Sequence, residues 1–249
     1  MKYFLDTVDT IKKGLGFSHY DPIHLVWLTL FLIAAVVGII CYRRCDEKKR
    51  RIFRIILAGA LVADELFKQI CLQIGGNFEF AYLPLHLCSI NILLIAFHAF
   101  KPSKILDNFL YAVCIPGAIA ALLFPTWTKL PLENFMHIHS FSVHILLALY
   151  PIILTAGGDI RPDVRQLPKT LGLLACLAVF TWCINLRLDT NFMFLMSAPK
   201  GNPLYWFKQT FGNHLIGYPF LITLVLIIMY TPIVYLNQRK KRRGLSHAA

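Results

Sequence analysis

Apolar residues gather in seven runs, at roughly 23 to 42, 52 to 71, 81 to 100, 104 to 124, 136 to 156, 168 to 186 and 213 to 236. At a rise of about 1.5 Å per residue, a run of around 20 residues crosses the roughly 30 Å hydrocarbon core of a bilayer. The pattern predicts an all-α, polytopic membrane helical bundle of about seven transmembrane helices. Ahead of the first run, Phe4, Val8, Ile11 and Leu15 recur at helical spacing opposite Asp6, Asp9, Lys12 and Lys13. That spacing predicts a short interfacial helix within residues 1–21. No long apolar segment with a small-residue cleavage site opens the chain, so no cleaved signal peptide is expected. With no repeat, linker or low-complexity tract, residues 1–249 read as a single integral membrane domain ending in a basic cytoplasmic tail at 237–249.

Composition agrees: 57% of residues are hydrophobic, 15% are charged and the mean hydropathy is +0.60. A soluble domain of this size needs more polar surface. The formal charge of +12 does not point to nucleic acid, because its carriers flank apolar runs. With the N-terminus outside, the inner connections hold Arg43, Arg44, Lys48, Lys49, Arg50, Arg51 and Arg54, then Lys101 and Lys104, then Arg161, Arg165 and Lys169, and finally QRKKRRG. This imbalance predicts N-terminus outside and C-terminus inside. The longest connection, from Arg187 to Gly212, then lies outside with Tyr205, Trp206 and Phe207 suited to the membrane interface. The seven cysteines are scattered mostly through apolar runs with no CxxC pair, which argues against a disulfide framework or a zinc ribbon.

Candidate chemistry lies in the polar residues sunk into those runs. In ADELFKQ of the second run, Asp64, Glu65 and Lys68 each cost about 2.5–3.5 kcal/mol near a bilayer centre unless neutralised. Lys68 can pair with either carboxylate within its own helix, leaving the other, Glu65 by preference, to orient a histidine. The third run carries Pro84, His86, Cys88, Ser89 and Asn91 in its first half. The fifth places His137, Ser140 and His144 on one helical face, with His139 off it. Cys88 and His144 both fall about two turns into their runs. A thiol and an imidazole at one depth are the parts of a nucleophile and base pair that attacks an ester or thioester carbonyl. Ser140 is an alternative nucleophile; Asn91 and Asn185 are candidate orienting or oxyanion groups. The plainer alternative is that the histidines bond helix carbonyls and hold the bundle together. His86, His137 and His144 could also gather round zinc, but no HExxH or comparable spacing occurs, so neither metal nor cofactor is expected. The polar groups concentrate in the outer halves of the runs, the inner halves being close to purely apolar. That distribution predicts a cavity open to the outer side over a conducting pathway.

The segments LPLHLCSI, FPTWTKLPLENFMHIHSFSVHI and NFMFLMSAP resemble the YwaF-type bacterial integral membrane proteins, which are related to the animal transmembrane protein 164. The resemblance runs from about Glu65 to the last span. It implies a multi-pass protein of the bacterial plasma membrane. The animal relative is a cysteine-dependent acyltransferase of ether phospholipids, which implies Cys88 as nucleophile with His144 or His86 as its partner. The leading expectation is therefore a phospholipid acyltransferase or lipid hydrolase with membrane lipids as its partners. The alternatives are a transporter for a small polar solute bound at Glu65, Lys68 and the histidines, or a non-catalytic bundle.

Overall fold

The computed structural model describes residues 2–12, 14–200 and 202–246, and it is helical with no strand among them. The long helices are α1 (Pro22–Arg43), α2 (Glu47–Ile74), α3 (Leu87–Phe100), α4 (Lys104–Phe109), α5 (Ile115–Leu123), α6 (Phe135–Gly157), α7 (Leu167–Leu188), α8 (Pro203–Phe211) and α9 (Gly217–Ser246). Each predicted apolar run holds a helix. Five helical stretches are long and apolar enough to cross a membrane: Pro22–Arg43, Lys104–Leu123, Phe135–Gly157, Val164–Leu188 and His214–Leu236. The charges of α2 and the 14-residue length of α3 keep those two apart.

Local chemistry sets the helix ends. Asp21 caps α1 by accepting from the His24 N–H at 2.9 Å, and Pro22 follows at the first helical position. That N–H holds the Asp21 carboxyl below its ordinary value. The cap is therefore complete above the ordinary carboxylate range and is lost as pH falls through the lowered value. Asp46 caps α2 through Lys49 N–H. Asn134 caps α6 through the Met136 and His137 amides, while its own amide donates to Tyr3 O and Asp6 O. Between α4 and α5 the helix loosens into a π turn, Leu110–Cys114. Pro116 follows it and has no N–H for the regular ladder, which accounts for the local rewinding.

Helix α6 is the axis of the bundle. It buries 14 of its 23 residues, against α1, α2 and α5. By contrast α1 buries only His24 and Tyr42, and α7 only Thr170, Thr181 and Asn185. The Leu, Ile, Val and Phe side chains left exposed along α1, α7 and α9 form the surface that lipid would cover.

Two expectations change. Residues 81–86 are not α-helical: Phe80–Tyr82 is a short 3-10 helix, His86 is extended (φ −67, ψ 152), and α3 begins only at Leu87. Pro84 disfavours helical geometry in the residue before it. The described part of residues 1–21 forms turns, not an interfacial helix. Its Phe4, Leu5, Val8 and Ile11 pack on a cluster of Phe17, Trp127, Leu130 and Phe135. This segment is tied down by Phe135 N–H to Phe4 O and Phe17 N–H to Thr128 O. Gly16 permits the latter approach, since a Cβ there would meet Thr128 O at 1.9 Å. At the other end of the chain, α9 continues past the last apolar run and runs through Ser246.

Candidate functional site

The helix contacts divide the bundle into two faces. One carries the α1–α2, α3–α4 and α6–α7 connections and is basic; the opposite face carries the N-terminal turns and residues 189–216. Near the opposite face, α2 and α6 meet through charge. Lys68 Nζ lies 2.6 Å from Glu65 Oε1, both side chains nearly buried. Gln69 donates to the same Glu65 oxygen at 2.9 Å and to Tyr82 O at 2.8 Å. Asp64 accepts from Ser142 Oγ at 2.8 Å, and its second oxygen lies 2.9 Å from His139 Nδ1. That last contact is an ion-pair approach without hydrogen-bond alignment, since neither atom has an aligned partner. His139 Nε2 stands 3.9 Å from Glu65 Oε2. From the sequence, a histidine pairs by preference with Glu65, and His139 falls off the face shared by His137 and His144. In the structure Asp64 takes His139, and Glu65 takes Lys68. A helical wheel gives α6 one inward face, whereas none of its residues is fully exposed and His139 also turns to a neighbour.

The third-run residues divide at the α3 N-terminus. His86 is the N-cap residue, and its Nδ1 accepts from Met193 N–H at 3.3 Å. Its ring lies between Phe192 and Phe194, centroids 5.3 and 5.7 Å away. Met193 and Phe194 both hold left-handed backbone, φ 55 and 54, conformations costly for such side chains. Asn185 holds the same segment, exchanging hydrogen bonds with the Phe192 N–H and carbonyl. Both bonding groups of Asn185 are thus engaged in shaping this loop.

Cys88 is a free, half-buried thiol at the second position of α3. No side chain caps this helix. The first-turn N–H groups of α3 therefore lack a side-chain acceptor and carry the positive end of the helix dipole, in the same turn as Cys88. Asn91, one turn on, is 3% exposed and its Oδ1 has no protein partner. His144 donates from Nδ1 to Ser140 O at 2.6 Å and stacks on Trp127, centroids 5.3 Å apart and planes 8° from parallel. This fixes the tautomer and leaves Nε2 with its lone pair. Cys88 and His144 lie 12 and 13 residues from the basic-face ends of their helices, which puts both about 18–20 Å from that face at ~1.5 Å per residue. The hydrogen bonds of His86, His137 and His144 go elsewhere, and none reaches Cys88. His137 is fully occupied, donating to Leu130 O and accepting from Trp27 Nε1 at 3.0 Å each. Ser140 is buried, and its carbonyl accepts from His144. No group of three or more His, Cys, Asp or Glu side chains suited to a metal occurs among the described residues.

A profile of the TMEM164 family matches residues 15–230. The chain belongs to the TMEM164 family. No curated protein and no solved structure matches it. The matched region begins within the N-terminal turns and takes in both the Asp64–His139 contact and the α3 N-terminus of this TMEM164-family chain.

The basic-face half is more polar than the sequence indicated. His98, 1% exposed, bridges Tyr150 OH and Asp107 Oδ1 at 2.8 Å each. Asn108 joins Tyr230 OH to Asp163 N–H. Asp159 gathers Tyr42, Arg50 and Arg54. The expectation of purely apolar inner halves is corrected. Asp107, Asn108 and Asp159 stand at or near connections, where sequence gives no sign that they turn inward; the tyrosines count as apolar in a hydropathy pattern.

Proposed function

We propose that this membrane protein is a cysteine-dependent transferase or hydrolase of phospholipid acyl chains, with Cys88 as nucleophile and His144 as general base. The observation that carries this reading is the position of Cys88 at the uncapped N-terminus of α3, at the level of His144. A helix N-terminus can receive the oxyanion of a tetrahedral intermediate, and a general base at the level of the thiol can take its proton during attack. In the first step the Cys88 sulfur attacks the ester carbonyl. The carbon–oxygen ester bond breaks, a thioester forms, and the lysolipid oxygen leaves with the proton that His144 took from the thiol. In the second step His144 deprotonates a lipid hydroxyl or water, which attacks the thioester and restores the thiol. Asn91 is the amide nearest in sequence to orient either step. Glu65, Lys68, His86 and Asn185 support the site from outside the reacting pair, and lipids of the bilayer supply the substrates.

The test is single-turnover incubation of the purified protein in nanodiscs with phospholipid carrying a labelled acyl chain, followed by mapping of hydroxylamine-sensitive label. Label on Cys88, abolished in Cys88→Ala and slowed by about 10²–10⁴ in His144→Ala, is the expected result. Label absent, or spread equally over Cys71, Cys114 and Cys176, would overturn it.

A second reading, passage of a small polar solute or proton, is favoured by one observation: α2, α3 and α6 carry polar clusters near both faces. It requires flux across proteoliposomes that depends on both clusters.

A further inference from the structure

At the basic face, the α1–α2 connection, the first two turns of α2 and the chain just past α6 form a polar cavity of about 390 Å³, lined by Cys45, Glu47, Arg50, Arg54 and Asp159. Asp159 is the buried-side anion of this cavity, and its carboxylate is shared. Arg50 reaches one carboxylate oxygen at 2.8 Å; Arg54 reaches the other at 3.4 Å, where Tyr42 OH also donates. Arg50 is otherwise fixed, donating to Cys45 O and Gly157 O with its guanidinium over the Tyr42 ring. Arg54 is not. Its side chain is 18% exposed and its Nε is buried without an acceptor. Two guanidinium groups thus share one carboxylate, and one buried N–H waits for an acceptor. Glu47 opposes this only from the exposed rim. Between residues 43 and 54 the chain has seven basic residues against two acidic ones.

We propose that this cavity binds a phosphate group, that of an anionic phospholipid in the leaflet adjoining the basic face, with Arg54 as the principal contact and Arg50 as the second. Guanidinium groups pair with phosphate through two parallel N–H donors, and basic pockets between membrane helices collect anionic headgroups. The half-buried thiol of Cys45 lines the cavity and reports on its occupancy.

Alkylation of Cys45 by a membrane-impermeant maleimide is followed in nanodiscs of neutral phosphatidylcholine, alone or with a minor fraction of phosphatidic acid. Phosphatidic acid should slow Cys45 severalfold and leave the reaction of the same maleimide with free glutathione unchanged. A fatty acid at equal surface charge should have little effect, and Arg54→Gln should lose the protection while Arg54→Lys keeps part of it. Protection by inorganic phosphate in neutral nanodiscs would assign the ligand as free phosphate. Equal slowing by the fatty acid, or protection that survives in Arg54→Gln, would overturn the proposal. The unfolding midpoint of each variant in neutral lipid separates loss of the site from loss of the fold.

Discussion

Lys68 and Glu65 lie 2.6 Å apart with side chains 8% and 11% exposed, and Gln69 completes the pair. Removing one charge strands the other in a setting of low dielectric. Lys68→Met is expected to destabilise by about 3–5 kcal/mol, whereas the double variant Glu65→Gln/Lys68→Met should recover much of that loss. Chemical unfolding in nanodiscs measures both, and equal losses in the single and double variants would contradict the coupling. Asp64 presents the same logic one residue earlier, with Ser142 on one oxygen and His139 beside the other. The need for partners at ADELFKQ was legible in the sequence, because hydrocarbon leaves ionised groups no other way to persist. The identity of the partners was not, since the choice between His139 and its neighbours depends on how α6 rotates against α2.

At the scale of elements, the positions of all seven long apolar runs were legible from hydropathy alone, and caps such as Asp21 and Asp46 precede their helices in the sequence. The start of α3 was not. A hydropathy window averages across LPLHL, while the backbone there turns at Pro84 and delays the helix to Leu87. That delay sets Cys88 in a first turn, so the most suggestive feature of the candidate site came from local backbone geometry. The apolar spacing of the N-terminal segment suits a helix in isolation, yet its backbone partners lie on the loop before α6 and on the first residue of α6. Asn134 links these elements, capping α6 while bonding two carbonyls of the N-terminal turns. Asn134→Ala is expected to cost about 2–3 kcal/mol, the sum of a lost cap and unsatisfied carbonyls. It should also free residues 2–12 to limited proteolysis. Protection unchanged from that of the parent protein would show that apolar packing alone holds the segment.

For the molecule as a whole, two polar layers are separated along α6 by the apolar stretch from Ile145 to Ala148. Near the opposite face lie Asp64, Glu65, Lys68 and His139; near the basic face, His98, Asp107 and Tyr150. The latter trio is closed on itself, each His98 nitrogen matched to one partner and Tyr150 wholly buried. Buried networks satisfied in this way specify helix packing, and a relay would need a member free to pass its proton onward. His98→Leu strands the Asp107 carboxylate and the Tyr150 hydroxyl, so it is expected to lower stability by about 2–3 kcal/mol. Acyl transfer per folded molecule should persist in this variant, whereas Cys88→Ser should fold normally and lose the transfer. Parallel assays of lipid turnover and of proton flux in proteoliposomes distinguish the two readings. Flux that vanishes in His98→Leu and survives in Cys88→Ser would make the two polar layers parts of one pathway. Turnover lost only with Cys88 or His144 would leave the basic-face layer as the clamp that holds α3 against α6 with the thiol at its level.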